Sequence, residues 1–252
     1  FPGEFENGFR RCALRPLRHA ARAFFVTVHT TPYRGEYYEG RVLLMKVLLL
    51  NGSAKRNGCT NEALSEIASV LESEGISAEI FHIGTDAICD CTGCGACAHL
   101  GKCIYGDDGV NEFTARAADA DGFVFGTPVY YAHPSGRILS FLDRAFYSSR
   151  KVFAHKPGAA IASARRAGTT ASVDVLNKYF TIAEMPVVSS SYWNMVHGST
   201  PDDVRRDLEG LQTMRNLAHN MAWLLRCIEA GKEKSGISVP ENDRSNRTDF
   251  IS

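Results

Sequence analysis

From Lys46 onward the chain switches between short apolar runs and longer stretches with a helical period. Lys46–Leu50 is nearly all apolar, the pattern of a strand buried on both faces of a parallel sheet. A polar, glycine-containing loop follows over 51–58. A helix is predicted from about Thr60, with Leu64, Ile67, Ala68 and Leu71 on one face. Gly75 stops it, and Ile76–Ile83 is the second strand. Residues 89–103 are glycine-rich and have no period. Val110, Phe113, Ala117 and Ala120 mark a short helix.

The second half repeats the alternation. Gly122–Tyr131 is the third strand and its exit. Pro134 and Ser135 open a helix with Ile138, Phe141, Leu142, Ala145 and Phe146 inward. Gly158–Ser163 is the fourth strand, 171–183 a helix, and Pro186–Ser191 the fifth strand. Thr200 is an N-cap, Pro201 takes the first helical position, and Asp202 and Asp203 fill the first turn. Val204, Leu208, Leu211, Met214, Ala218, Met221, Leu225 and Ile228 then form one long stripe that Gly231 ends. Strands alternating with helices predict an α/β fold, a three-layer, doubly wound, five-stranded parallel sheet with right-handed crossovers.

The texture divides the chain. Residues 1–44 carry seven Arg, no Lys and four Glu, and show no clean period. The functional protein is expected to start near Met45, with 1–44 an added or translated upstream segment. An Arg-rich transit peptide and an arm docking on a partner subunit are the rival readings; four Glu and few Ser speak against the transit peptide. Residues 45–232 form the expected domain, and 233–252 a polar, disordered tail. The whole chain has zero formal net charge, so no basic footprint argues for nucleic acid. Its longest apolar stretch, Val42–Leu50, is short and carries Lys46, so it cannot span a bilayer. A long chain with clustered cysteines fits a cytoplasmic setting that keeps thiols for metal or redox work.

Five of the eight cysteines fall within 89–103, four of them as Cys91-x2-Cys94-x2-Cys97-x5-Cys103. Compact runs of this kind carry thiolates to the corners of one iron–sulfur cluster. A zinc knot, a redox thiol group and an unligated loop use the same residues. Cys89 has no assigned role, and Cys59 and Cys227 are read as packing residues. Asp107 and Asp108 are read as a helix-entry cap.

In a doubly wound sheet, ligands bind where the winding reverses, at the carboxyl ends of strands. Three loops should meet there. Gly52–Asn61 (GSAKRNGCTN) offers hydroxyls and backbone N–H groups for a phosphate at a helix N-terminus, or else a plain capping turn. It has neither a P-loop ending nor G-x-G-x-x-G. Gly126–Gly136 (GTPVYYAHPSG) places aromatics after a buried strand, suited to a flat ring or to an ordinary surface. Ser163–Thr170 (SARRAGTT) offers donors to a ring edge, or is a solvated basic turn.

Together GSAKRNGCTNEAL, CTGCGACAHLGKCIYGDD, GTPVYYAHPSG and ARRAGTT resemble the flavodoxin-like NAD(P)H-dependent FMN reductases, above all their iron–sulfur flavoprotein branch. The likeness runs through MPVVSSSYWNMVHG and DLEGLQTMRNLAHNMAWLL, so it covers 45–232. It implies a flavodoxin-like fold, bound FMN and a homodimer or homotetramer. It places Ser53, Lys55, Asn57, Thr60 and Asn61 at the FMN phosphate. It sets Thr127, Pro128, Val129, Tyr130 and Tyr131 along the ribityl chain and ring, and Ser163, Arg165, Gly168 and Thr169 at the other edge. It also implies a [4Fe–4S] cluster on Cys91, Cys94, Cys97 and Cys103.

The implied function is an FMN-dependent oxidoreductase passing electrons from NAD(P)H to a small acceptor: a quinone, nitro or azo compound, or free flavin. The flavin does the chemistry, and no side chain need be a nucleophile. His133 and His197 sit near the expected site, with His133 a candidate proton donor. Tyr192 and Trp193 are expected to pack between subunits or wall the pocket. One rival reading is an electron carrier exchanging electrons with ferredoxin-like partners. Another is a redox sensor built on the loop thiols.

Overall fold

The computed structural model describes residues 45–246 and 248. The expectations for 1–44 and for the last few tail residues lie outside the described residues. The elements are β1 (Lys46–Asn51), α1 (Cys59–Ser73), β2 (Ser77–His82), α2 (Cys97–Leu100), α3 (Val110–Ala118), β3 (Gly122–Tyr130) and β4 (His133–Pro134). Then come α4 (Gly136–Phe153), β5 (Gly158–Ala164), α5 (Thr169–Ile182), β6 (Met195–His197), α6 (Pro201–Arg206) and α7 (Leu208–Ser235).

Five strands pair in parallel in the order β2-β1-β3-β5-β6. The short β4 folds back on the end of β3 as an antiparallel hairpin, Val129 opposite Pro134. The winding direction reverses between β1 and β3, which are neighbours. This is the flavodoxin-type order, and in open sheets of this kind ligands bind at such a junction.

Strand residues alternate between two cores. Leu48, Leu50, Phe123, Phe125, Ala160 and Ala162 face one, with Phe113, Phe141, Phe146 and Phe180 from α3, α4 and α5. Val47, Leu49, Val124, Ala159 and Ile161 face the other, with Leu64 and Ile67 from α1 and Met214, Leu217 and Met221 from α7. Each fully buried Leu or Phe here contributes about 1.5–3 kcal/mol of transfer free energy. The helical layers on both faces match the sequence pattern.

Four elements differ from that pattern: α2 lies inside the aperiodic segment 89–103, Pro134 pairs in β4 instead of opening α4, and the fifth strand and the last helix are placed differently. The fifth parallel strand is Met195–His197, not Pro186–Ser191. Val188 N donates to Gly158 O (2.8 Å) at the start of β5, and Ala162 N donates to Asn194 O (3.0 Å) further along. Residues 189–193 leave the sheet between these two contacts. Their excursion is held on α7 by Ser190 Oγ to Thr213 O (2.6 Å), Asn216 to Ser191 Oγ (2.9 Å) and Asn220 to Ser189 O (2.8 Å). The apolar pair Val187–Val188 therefore touches the sheet without forming a strand.

The predicted last helix is broken at Asp207 (φ −79°, ψ 77°), whose carboxylate caps α7 by accepting from Gly210 N. The break resets the helical phase, so Leu208 faces outward instead of joining the stripe. The helix also passes Gly231, reaching Ser235 before Gly236 ends it in the left-handed region (φ 62°). Residues 236–246 form no helix or strand, yet Asn242 and Arg244 both reach Glu184.

Candidate functional site

The carboxyl ends of β1, β3 and β5 lie side by side, so the three loops meet at one rim. Gly52 N donates to Gly126 O across 2.8 Å, joining the first loop to the second. Ser135 Oγ donates to Gly52 O (3.1 Å) and caps α4 by accepting from Ile138 N. Thr60 Oγ1 and Ser163 Oγ are 2.8 Å apart, joining the first loop's helix to β5. A Cβ on Gly52 would sit 2.6 Å from Ile138 Cδ1 and 2.8 Å from Gly126 O, which requires glycine there.

The first loop is shaped from inside by Asn51, which the sequence did not single out. Buried at the end of β1, Asn51 accepts from Ser53 N (3.1 Å). Its amide donates to Arg56 O and Asn61 Oδ1, each at 3.2 Å. Ser53 Oγ accepts from Lys55 N. Lys55 and Asn57 stand exposed on the loop, while Asn61 is spent on Asn51 and Ser65. No side chain caps α1, so its first N–H groups point to the loop without an internal acceptor from its N-cap, Gly58.

His82, at the end of β2, is a second unforeseen support. Gly84 N donates to its Nδ1 (3.2 Å), which leaves Nε2–H to donate to Ser53 O (2.9 Å). Burial pushes the His82 pKa below the ordinary imidazole range, and the nearby Arg56 and Arg137 charges add to this. Burial likewise raises the Cys59 thiol, which lies 3.6 Å from Gly198 O.

In the second loop, Thr127 is buried and accepts from Ser135 N, while Pro128 and Val129 are half-buried. Tyr130 and Tyr131 project outward at the β3–β4 turn, with Tyr131 at φ 58°. His133 is exposed there, its Nδ1 2.8 Å from Pro134 O. In the third loop, Ser163 and Thr169 are buried, Gly168 takes φ 89°, and Arg165 is exposed. His197 is half-buried on β6, its backbone N bonded to Asp207 Oδ2 (2.6 Å). Tyr192 and Trp193 stack edge-on at 4.7 Å, both exposed at the tip of the 189–193 excursion.

The four cysteines form a second centre. Cys91, Cys94, Cys97 and Cys103 line a cavity of about 110 Å³ together with Tyr105, Arg144 and Tyr147. Gly93 and Gly95 take positive φ (65° and 70°), curling the loop around it. Cys97 Sγ lies 3.7 Å from Tyr147 O, close to the break in α4 at Ser149. Asn111, on α3, holds the far end by accepting from Cys103 N and donating to Cys103 O, both 2.9 Å. Among the described residues, no three His, Cys, Asp or Glu side chains converge to hold a single metal ion.

Arg144 is the residue the sequence missed here. Almost fully buried, it donates from Nε to Cys103 Sγ (3.1 Å), from Nη1 to Cys89 O (3.2 Å) and from Nη2 to Tyr105 O (2.9 Å). Both terminal nitrogens also pair with Asp108. All five N–H donors of the fork are thus used. Burial disfavours its charge, but Asp108 and Cys103 more than offset this, and its pKa is raised. A charged residue beside an apolar helical stripe reads as surface-facing by period alone. Asp108 therefore serves Arg144 rather than capping α3, whose N-cap is Gly109 without a side-chain bond. Cys227 is exposed, not packed.

Residues 45–200 match the NADPH-dependent FMN reductase family. An iron–sulfur flavoprotein of Methanocaldococcus jannaschii is 30% identical over 197 residues, spanning 73% of this chain and all of the relative. A second from the same organism is 29% identical, over 77% of this chain and all of that relative. Among solved structures, a flavone reductase aligns with TM-score 0.57 at 17% identity, covering 73% of this chain and 64% of that one. An archaeal flavodoxin aligns with TM-score 0.51 at 15% identity, covering 72% of this chain and 99% of that one. These two share the fold. The chain belongs to the NADPH-dependent FMN reductase family, in the branch of the iron–sulfur flavoproteins.

Proposed function

We propose that the protein is an FMN-dependent oxidoreductase that passes electrons from NAD(P)H through bound flavin to a small acceptor. The observation that carries this is the junction of three loops at the β1–β3 winding reversal, beside an α1 that begins with no capping side chain. Such a helix start suits a phosphate, since its free N–H groups and dipole favour an anion. The residues present fit FMN: Ser53, Lys55, Asn57, Thr60 and Asn61 border the phosphate position. Of these, Ser53 Oγ and the exposed Lys55 and Asn57 are best placed for direct contact, with Thr60 and Asn61 holding the loop. Thr127, Pro128, Val129, Tyr130 and Tyr131 would flank the ribityl chain and ring, and Ser163, Arg165, Gly168 and Thr169 the other edge.

Bound flavin supplies hydride acceptance and electron release. The chain's own part is to hold the phosphate, orient the ring and place Arg165 as a positive charge near its edge. His133 stands exposed beside the second loop, open to a protonating role on a reduced acceptor. Among the described residues no helix is long and apolar enough to cross a membrane. The test is anaerobic titration with FMN followed by NADH and NADPH. Tight flavin binding with bleaching on NAD(P)H addition supports the reductase; bound flavin that neither nucleotide reduces overturns it.

A second reading is an electron carrier for ferredoxin-like partners that holds FMN and a [4Fe–4S] cluster. The cysteine cavity favours it. Each thiolate of such a cluster binds a different iron, so the sulfurs must border one cavity without meeting at a point. Cys91, Cys94, Cys97 and Cys103 would hold it, and a cluster there supplies one-electron transfer. Helix α4 joins the two centres: Ser135 at its start bonds the flavin rim, and Arg144, nine residues on, bonds the cysteine loop. At 1.5 Å per residue that span is roughly 14 Å. Four irons per chain without NAD(P)H oxidation would favour the carrier.

A further inference from the structure

We propose that Arg144 is a positioning residue that clamps the cysteine loop and sets the reduction potential of a cluster held there, through its bond to Cys103. The inference about potential rests on the cluster reading above; the clamp does not. The cysteine loop begins at Cys89, seven residues after β2 ends at His82, and enters α3 at Val110, so its two ends are separated by more than a dozen residues. Arg144 bonds both: Cys89 O at the start, Cys103 Sγ, Tyr105 O and Asp108 at the end. One guanidinium thereby closes the loop without any help from iron.

The chemistry of the contact is asymmetric. Nε–H points at the Cys103 sulfur, and hydrogen bonds to ligand sulfurs are a main control of cluster potential. The bond withdraws electron density from one thiolate and favours the reduced, more negative cluster. Asp108 works the other way, since its carboxylate neutralises the guanidinium. Asn111 holds the Cys103 backbone but does not touch its sulfur, so geometry and electrostatics are supported by different residues. Lysine cannot replace this arginine, because a single ammonium cannot serve Cys89 O, Tyr105 O, Asp108 and the Cys103 sulfur together.

The experiment compares the full-length wild type with Arg144→Lys and Asp108→Asn, purified anaerobically. Flavin content and circular dichroism report folding, iron is counted per chain, and the cluster is titrated reductively with electron paramagnetic resonance as the readout. Arg144→Lys is expected to lower the potential by about 59 mV, a tenfold shift of the one-electron equilibrium. Asp108→Asn is expected to raise it. The flavin potential stays fixed in both and serves as the internal reference. Cluster potentials unchanged in both variants, or moving in the same direction, overturn the tuning claim. A wild type with flavin but no iron refutes the cluster reading instead. Hydrogen exchange then decides the clamp: amides of 89–108 should exchange at least tenfold faster in Arg144→Lys, while those of 52–58 do not change. Equal protection of the cysteine loop in both proteins overturns the clamp.

Discussion

Thr60 Oγ1 and Ser163 Oγ face each other at 2.8 Å, both shielded from water, where the first turn of α1 meets the end of β5. The sequence pointed to both as flavin contacts on separate loops. Their mutual bond makes them the strut that fixes the distance between those loops.

Removing one hydroxyl strands the other in a buried site. Thr60→Val or Ser163→Ala should each cost about 1–3 kcal/mol, while the double variant should cost clearly less than the sum. Urea denaturation of the four proteins gives the coupling energy. Additive losses would mean that the two hydroxyls do not depend on one another. FMN affinity should fall in both single variants, because either change loosens the rim.

What the sequence made legible was period and punctuation. Two-sided apolar runs gave β1, β3 and β5 nearly to the residue, Thr200 was readable as a cap, and Ser135 as part of the opening of α4. What stayed hidden was set by tertiary contacts. Val187 and Val188 carry strand propensity, yet the chain leaves the sheet because α7 offers partners for Ser189, Ser190 and Ser191. Asn51, His82 and Arg144 shape the two centres from behind, and nothing in the spacing of a lone polar residue announces that. The four cysteines were conspicuous, whereas the arginine that organises their loop was 41 residues away.

Gly168 tests how tightly the third loop is built. At φ 89° an alanine is strained, and its Cβ would lie 2.8 Å from Val129 Cγ1 and 2.9 Å from Ala132 Cα. The second contact is backbone and cannot rotate away. Gly168→Ala should destabilise by about 1–3 kcal/mol and release flavin, visible as a rise in free-flavin fluorescence. Gly136→Ala is the contrast, since no atom lies within 4 Å of its added Cβ and the residue opens α4. It should be neutral or stabilising by up to about 1 kcal/mol. Similar losses in both would show that the third loop has room to spare.

Asp207 joins the sheet edge to the longest helix. One carboxylate oxygen accepts from His197 N on β6 and the other from Gly210 N in α7. Asp207→Ala removes both bonds, so a loss of about 1–2 kcal/mol is expected in thermal or urea unfolding. Asp207→Asn keeps one acceptor and should lose less. A fully stable alanine variant would show that the α6–α7 break is held by packing alone.

His82 gives the rim a pH dependence whose sign follows from its two bonds. Nδ1 accepts from Gly84 N and Nε2 donates to Ser53 O, an arrangement only the neutral ring supports in full. Burial, with Arg56 and Arg137, lowers its folded pKa. An unfolded histidine ionises near about 6.5, so above that pH both states are neutral and the contribution is complete. As pH falls through that value the unfolded chain takes up the proton first, and stability declines toward the lower folded pKa. Protonation at Nδ1 would then set two N–H groups against each other and push the ring away from Gly84, straining the Nε2 bond to Ser53 O and loosening the phosphate loop. The FMN phosphate titrates near about pH 6 itself, so the slope of wild type alone is ambiguous. His82→Gln should still donate to Ser53 O without titrating. Between pH 7 and 5.5 its FMN affinity should fall less than that of wild type in parallel fluorescence titrations. Equal slopes would assign the whole pH effect to the phosphate and remove His82 from the account.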